Sequence, residues 1–499
     1  MSQVGIIDET EIPLEFGDER RHVDIRFGII NHGVLDRNEG EGPRVIRLGV
    51  VGSPRSIEAC FEWLEKCSEG VAAKESPKPN LFPRFPGFGE DSPFNAVLKC
   101  DERSRRALSS HEIAKLAAAT APGDIVRQAV GLYIRELEYL VSEVKPDVIA
   151  CMVTDEIADH LDRAAATTAS RSSDDDDDDP DMVVRYRHDF HHCLKAAAMR
   201  LHTPIQLILP STFGLGKRSK STKRRRPQEQ GKPRQLQDEA TRAWNLFTAL
   251  YYKAGGVPWR LPRESSDYDT CYVGIGFYRS LDERYVMTSV AQIFNQRGEG
   301  IVVRGGQARV SKDDRTPHLG EDDSAQILTD ALRRYRDEHK NHPARIVLHK
   351  SSGFDAPEKE GVRSALQQER VEMCDMLSLR RSSIRLFRTG AYPTLRGTHV
   401  SLGDMAHLLY TRGSIPFFET YPGLYAPRAI ELRFDAIEQS PEALCREVLA
   451  LTKMNWNNTH FDMREPITLR AARRVGDIMK YVSDDVPADA IAKRYSFYM

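Results

Sequence analysis

The chain has 499 residues, enough for two or more domains that each bury a hydrophobic core. Hydrophobic residues make up 40% and charged residues 29%, as in ordinary soluble proteins, and the formal net charge of −2 excludes a uniformly basic nucleic-acid coat. The eight cysteines form no C-x-x-C pair, and no stretch approaches the roughly 20 apolar residues of a membrane helix. Since the amino terminus also has no secretory signal, these features predict a cytoplasmic protein with no membrane segment.

The first part of the chain predicts an α/β domain. Residues 1–44 contain short apolar patches that predict one or two strands, or an arm that packs on the later domains. The apolar run 44–52 ends in glycine and precedes an amphipathic stretch, which is the strand–turn–helix opening of an α/β unit. A helical pattern over 125–144 and a short apolar run over 146–153 continue the alternation. This order predicts a Rossmann-like domain with a mostly parallel sheet over residues 45–258.

Two strongly charged segments interrupt this predicted domain. Residues 170–182 include six consecutive aspartates at 174–179, whose like charges repel one another and predict a solvated acidic loop. Residues 214–235 form a basic loop, and two interpretations of it stand: a flexible solvated loop, or a mobile clamp on a nucleic-acid backbone.

Four residues of the same domain have side chains suited to a terminal phosphate. His191 and Lys195 stand four positions apart, so a helix places both on one face. Gln206 follows at the start of a predicted strand, and Lys253 stands in the last turn of a predicted helix that ends at Gly255. The two ammonium groups would supply positive charge, while the imidazole and the amide would supply directional hydrogen bonds.

A proline-bounded linker over residues 257–262 marks the predicted boundary to a second domain, residues 259–499. The hydrophobic pattern of this domain predicts three consecutive strands, then a helix, then a further strand. The corresponding stretches are 270–279, 285–294 and 300–304 for the strands, 324–340 for the helix and 343–349 for the last strand.

These motifs carry a resemblance. The order His191-x3-Lys195, Gln206 and Lys253 before two glycines resembles the guide 5′-phosphate pocket in the middle (MID) domain of Argonaute proteins. The strand order of residues 259–499 resembles their ribonuclease H-like PIWI domain. Because the chain has no room for the amino-terminal and PAZ domains, it resembles the short prokaryotic Argonautes. In that family the carboxylate at the chain end often helps hold a metal ion beside the phosphate, which implies Mg²⁺ bound by Met499 and Gln206.

The resemblance also implies a PIWI domain without its catalytic carboxylates. A nuclease of this fold holds two metal ions between inward-facing acids. At the positions that align with those acids the sequence has Gly276, Lys350 and Arg473, and a glycine with two cations repels divalent metals. We therefore predict an inactive domain and interpret nearby acids such as Asp355 and Glu358 as loop residues. An active nuclease that uses these relocated acids remains an alternative.

The function that the resemblance implies is that of a guide-binding sensor in prokaryotic defence. Such a subunit holds a short 5′-phosphorylated guide, which we expect to be RNA, and pairs it with invading single-stranded DNA. Its partner carries an APAZ region and an effector, which is a TIR domain, a sirtuin-like NAD-consuming domain or a nuclease. Target recognition switches the effector on, with assembly into a higher oligomer as a further expectation. A guide-independent assembly subunit with a vestigial pocket is the second alternative.

Overall fold

The computed structural model describes most of the chain, and it forms two compact units. The smaller unit comprises Pro43–Lys74 and Pro83–Gly256, and the larger unit comprises Met1–Gly42, Glu75–Phe82 and Val257–Met499. The described residues are 5–8, 11–38, 42–116, 122–159, 185–215, 237–262, 268–294, 300–303, 305–312, 315–387, 393–403, 406–421, 426–460, 463–482, 486 and 491–499. The predicted acidic loop, and the predicted basic loop from residue 216 onwards, lie outside these ranges.

The helices and strands are numbered in chain order. The helices are α1 Ile25–His32, α2 Pro54–Ser68, α3 Ser110–Lys115, α4 Pro122–Tyr139, α5 Arg185–Ala198, α6 Glu239–Lys253, α7 Glu321–His339, α8 Ala356–Glu369, α9 Pro441–Leu451 and α10 Ile467–Met479. The strands are β1 Gly5–Asp8, β2 Leu14–Glu15, β3 Arg21–His22, β4 Val45–Gly52, β5 Val97–Lys99, β6 Arg105–Ala107, β7 Val148–Met152, β8 Ile205–Ile208, β9 Thr270–Arg279, β10 Val286–Phe294, β11 Gly300–Val303, β12 Arg309–Val310, β13 Pro317–His318, β14 Arg345–Lys350, β15 Met373–Arg381, β16 Thr398–Ser401, β17 Ala406–Leu409 and β18 Ile430–Ala436. None of the helices in the described ranges is long and apolar enough to cross a bilayer.

The smaller unit contains a parallel sheet between two layers of helices. Its strands run in the order β5-β4-β7-β8, all parallel, with β6 paired to the end of β4. Helices α4 and α5 form one core with Ile149, Cys151 and Ile205. On the other face α2 and α6 meet through aromatic rings, including those of Trp63 and Phe247 at 6.3 Å. The predicted Rossmann-like, mostly parallel architecture is confirmed.

The larger unit is built on a nine-stranded mixed sheet. Its strand order is β1-β16-β17-β18-β15-β14-β9-β10-β11, with β9, β14 and β15 parallel at the centre. Strands β9, β10 and β11 form an antiparallel meander that α7 connects to β14, the order expected of a ribonuclease H-like domain. One face carries α7 and α8, whose side chains line a small cavity together with Val273, Ile275 and Leu348. The other face carries α10.

The amino-terminal segment packs into the larger unit. Leu14 and Phe16 are fully buried, and β2 and β3 form a small hairpin there. The carboxylate of Glu11 accepts hydrogen bonds from Arg396 Nε at 2.8 Å and from Lys453 Nζ at 3.0 Å. Both cations are buried, so this ion pair fastens the segment to the body of the unit.

Gly274 lets helix α10 lie directly on strand β9. A Cβ at this position would be 2.3 Å from the backbone oxygen of Thr468, and backbone cannot swing aside as a flexible side chain can. We expect Gly274→Ala to lower the free energy of unfolding of the larger unit by about 1–3 kcal/mol, as overpacking does. Chemical denaturation of the full chain measures this.

The matched control for that substitution is Gly353→Ala in the same unit. A Cβ there would meet only the end of the Arg380 side chain, at 3.5 Å, which is ordinary van der Waals contact. A change of more than about 0.5 kcal/mol in the control, or none in Gly274→Ala, would contradict the packing argument.

Candidate functional site

Helix α5 carries the first two predicted phosphate ligands. Phe190 and Leu194 face the apolar core of the smaller unit. His191 and Lys195, each one position further along the chain, lie together on the neighbouring face of the helix. The Lys195 side chain is only 2% exposed. A desolvated ammonium group acts on a nearby anion far more strongly than a solvated one.

Gln206 lies on β8, the edge strand of the sheet. Its Nε2 donates to the carbonyl oxygen of Leu207 at 3.0 Å, whereas its Oε1 is buried and accepts no hydrogen bond from any described residue. The reverse amide orientation would place two oxygens side by side, so the unsatisfied group of Gln206 is the carbonyl oxygen. The carbonyl oxygen of Gln206 is therefore the group that a ligand could satisfy.

Lys253 stands in the last turn of helix α6. The helix begins at the capping residue Asp238, whose carboxylate accepts from the Thr241 backbone N–H at 3.0 Å. It ends before Gly255, which adopts a positive φ of 100°. The Lys253 side chain is 4% exposed.

The elements that carry these residues are neighbours in the smaller unit. Helices α5 and α6 both contact β8, from its two faces. Met499, the further predicted ligand, belongs to the larger unit, where it is 6% exposed. The roles of all five residues stay predictions.

The buried oxygen of Gln206 also shows whether this residue suits the implied Mg²⁺ ion. Magnesium takes oxygen ligands, including amide carbonyls, and a buried carbonyl oxygen without a hydrogen bond is costly unless a ligand satisfies it. Gln206 therefore fits as one ligand of such an ion.

Strand register corrects the predicted layout of the degenerate nuclease positions. His349 of β14 pairs with Gly274 of β9, and Lys350 pairs with Ile275. Because side chains alternate along a strand, Gly276 faces α10, whereas Lys350 faces α7 and α8. The sequence alignment had placed an ammonium near the metal position beside Gly276. The next residue on the Gly276 face after His349 is instead Ser351, which is exposed.

Lys350 is a buried structural cation. Its Nζ forms an ion pair with Glu358, donates to the Gly353 carbonyl oxygen at 2.9 Å and lies 5.0 Å from the centre of the Phe354 ring. Burial lowers the pKa of Lys350, and the Glu358 carboxylate opposes that effect. The side chain is fully buried, so it cannot touch a nucleic acid.

Glu358 lies in a helix, contrary to the interpretation from sequence, whereas Asp355 is the last loop residue before that helix. Asp355 caps helix α8 by accepting from the Glu358 backbone N–H at 3.0 Å, and Glu358 lies in the first turn of that helix. Glu358 accepts from the backbone N–H groups of Leu319 at 2.8 Å and Asp355 at 2.9 Å. Local turn chemistry, Asp355-x-x-Glu358, is the signal that identifies this capping box.

These two acids and His318 are the single group of three potential metal ligands in the described part of the chain. The His318 Nδ1 atom lies 3.1 Å from Glu358 Oε2, and Arg309 donates to Asp355 at 3.1 Å. Lys350 forms a further ion pair with Glu358. The cations of the protein already neutralise these carboxylates, so the group does not suit a divalent metal ion.

Arg473, the third position predicted to be degenerate, lies on helix α10. Its side chain is 51% exposed and forms an ion pair with Glu465 at 2.7 Å. The same helix presents the Thr468 hydroxyl to His349 Nδ1 at 2.8 Å, which joins α10 to the centre of the sheet.

His349 makes the larger unit sensitive to acid. Burial lowers its pKa to about 3, whereas an unfolded chain protonates histidine near pH 6.5. Between these values the unfolded state binds more protons, so stability is complete above pH 6.5 and falls as the pH drops. At pH 5 we expect this residue to account for a loss of about 2 kcal/mol relative to pH 7.

Denaturation of wild type and His349→Leu at both pH values isolates this contribution. The variant should lose less stability between pH 7 and pH 5 than wild type does. The exposed His111, replaced by leucine, should leave the wild-type difference unchanged. Equal pH dependence in wild type and His349→Leu would rule out His349 as the cause.

Comparison with known proteins identifies the class of fold. No protein-family model matches the sequence, and no curated protein matches it. Solved Argonaute structures do resemble it. Clostridium butyricum Argonaute bound to a guide DNA and a 19-mer target DNA has a TM-score of 0.61 at 12% identity, over 97% of this chain and 54% of that chain. Drosophila Piwi has a TM-score of 0.58 at 13% identity, over 99% of this chain and 56% of that one.

A third solved structure, A. aeolicus Argonaute, has a TM-score of 0.53 at 14% identity, over 96% of this chain and 53% of that chain. The fold is therefore that of the MID and PIWI regions of Argonaute proteins. The chain spans about half the length of the solved structures that it matches.

Proposed function

We propose that this protein binds the 5′-phosphorylated end of a short guide strand in its smaller unit and pairs that guide with a single-stranded target. The observation that carries the proposal is the set of buried polar side chains around β8. Lys195 and Lys253 are 2% and 4% exposed on the two helices that contact this strand, and the strand itself carries the unsatisfied oxygen of Gln206. Ammonium and imidazole groups are hydrogen-bond donors suited to a phosphate, and a cation beside it would satisfy the oxygen of Gln206.

Each residue has a part in this proposal. Lys195 and Lys253 neutralise the phosphate, and His191 donates to a phosphate oxygen. Mg²⁺ would be held by Gln206, and it would supply positive charge beside the phosphate. Target sequence is selected by base pairing, so the protein needs to hold only backbones.

We further propose that the larger unit holds target without cutting it. Gly276 has no side chain to bind a metal, Ser351 has no charge, and Arg473 is a cation paired with Glu465. Two-metal cleavage requires several carboxylates in one cleft. The acids of the alternative hypothesis, Asp355 and Glu358, lie on the opposite face from Gly276 and are occupied by Lys350 and Arg309.

The biological setting belongs to the same proposal. Support comes from the fold of about half an Argonaute, together with the degenerate nuclease positions. We propose a cytoplasmic defence complex of the short prokaryotic Argonaute type, in which the guide is RNA and the target is invading DNA. An APAZ-bearing partner carries a TIR, sirtuin-like or nuclease effector, and target binding activates that effector.

The nucleic acid that copurifies with the full chain tests the guide proposal. We expect short strands that a 5′-phosphate-dependent exonuclease degrades and that a kinase labels only after phosphatase treatment. Digestion with RNase or DNase identifies the guide. Recovery of no short strands, or of strands with 5′ hydroxyls only, would overturn the proposal and favour an assembly subunit that needs no guide.

A further inference from the structure

A short segment of the larger unit follows strand β15. Residues 382–387, here called the strap, are held on the sheet by two hydroxyl groups. Tyr410 donates to the Ile384 carbonyl oxygen at 3.2 Å, and Thr394 donates to that of Leu386 at 2.7 Å. The Leu386 side chain packs on the buried cluster of Val400, Leu408, Tyr410 and Ala429. The strap is thus a fixed surface feature.

Anchoring of Leu386 turns the side chains beside it outward. Phe387 is 68% exposed and Ile384 is 44% exposed, which is unusual for such large apolar groups. Arg385, between them, is exposed and makes no hydrogen bond or ion pair with the residues that the structure describes. An exposed aromatic ring therefore stands beside an available guanidinium group.

Arginines are frequent in and beside the strap, and Glu431 of β18 pairs with Arg380 across the sheet. Arg380 and Arg381 end strand β15 immediately before it, and the backbone bond from Ser382 to Ala429 at 3.1 Å places Arg428 alongside. Residues 380–387 include no acid. This local positive charge contrasts with the net charge of −2 for the chain and matches a polyanion.

We infer that the strap binds single-stranded nucleic acid, with Arg380 and Arg385 at backbone phosphates and an unpaired base stacked on Phe387. This inference rests on the proposed function and names a place where an unpaired stretch of guide or target is held. Aromatic rings stack on any base whose face is open, and a base within a duplex is covered on both faces by its neighbours. The ring of Phe387 thus favours single strands over duplex. Positive charge alone would not give this preference.

Binding of labelled strands to the full chain tests the inference. The strands carry 5′ hydroxyls, so that the phosphate pocket contributes nothing. Phe387→Ala should weaken binding of a single strand about five-fold or more and leave duplex binding unchanged, whereas Phe387→Tyr should retain the wild-type affinity. Arg385→Gln should reduce the salt dependence of single-strand binding by about 0.7 in logarithmic slope.

Tyr285→Ala is the matched control, because Tyr285 is an aromatic residue of the same unit with 49% exposure, and it should change neither affinity. Unchanged single-strand affinity in Phe387→Ala, or an equal loss for single strand and duplex, overturns the inference. The inference is also overturned if the full chain binds an acidic peptide in place of the single strand. A 5′-phosphate preference that persists in these variants shows that the proposed function stands even if the strap fails.

Discussion

Replacement of Lys195 and Lys253 together by methionine should reduce the affinity for a 5′-phosphorylated guide by about a hundred-fold or more. A hydrogen bond to a charged group contributes about 1.5–3 kcal/mol, and each 1.4 kcal/mol is a factor of ten in affinity. Both lysines are buried, so their charges act on the phosphate with little screening by solvent. Methionine keeps the buried stem of each side chain and removes only the charge.

This test is specific because it compares two guides that have the same sequence and differ only at the 5′ end. Fluorescence anisotropy at a fixed salt concentration compares strands with a 5′ phosphate and with a 5′ hydroxyl. The double variant should bind both guides with similar affinity, because the contacts to the guide that it loses are those to the 5′ phosphate. Lys99 and Lys115, exposed in the same unit, provide a control pair with the same loss of charge.

If the variant of Lys99 and Lys115 also lost the preference for a 5′ phosphate, a general loss of positive charge would explain the result. An equal decline for phosphorylated and unphosphorylated guides in the Lys195 and Lys253 variant would show that these residues do not form a phosphate pocket. Thermal unfolding of each protein separates a loss of binding from a loss of structure.

Glu358→Gln should destabilise the larger unit by about 3 kcal/mol or more. Glu358 is 1% exposed and neutralises Lys350, which is fully buried, so the substitution leaves an uncompensated ammonium group in the interior. The new amide also places a donor where the Leu319 and Asp355 backbone N–H groups now donate to the carboxylate. Denaturant unfolding of the full chain measures the loss.

A second substitution identifies the cause of that loss. Lys350→Met in the Glu358→Gln background removes the buried charge and should recover part of the stability. Glu360→Gln, on the same helix and 53% exposed, should change stability by less than about 0.5 kcal/mol.

The same variants address the nuclease alternative. If Glu358 and Asp355 held catalytic metals, millimolar Mg²⁺ or Mn²⁺ would stabilise wild type and support target cleavage that Glu358→Gln abolishes. We expect neither effect. Metal-dependent cleavage lost in this variant would show that the relocated acids are catalytic.

Local sequence patterns accounted for most of the secondary structure. The strand predicted over 270–279 has the observed bounds Thr270–Arg279, and the helix that carries Lys253 ends where its glycines predicted. Apolar periodicity and capping residues act over a few positions, so they can be interpreted without the fold. No local pattern predicted that Glu75–Phe82 belongs to the larger unit, because the residues that it contacts there lie far away in the sequence.

By itself, the sequence determined the two α/β architectures and the helices and strand that carry the phosphate-binding candidates, and it led to the prediction that the nuclease positions lack carboxylates. Only the tertiary structure decided which face of the sheet each of those side chains occupies. A shift of one residue along a strand moves a side chain to the other face, so an alignment uncertain by one position cannot separate Lys350 from Ser351. The register of β14 against β9, and the burial of Lys350 against Glu358, are set by contacts between distant segments.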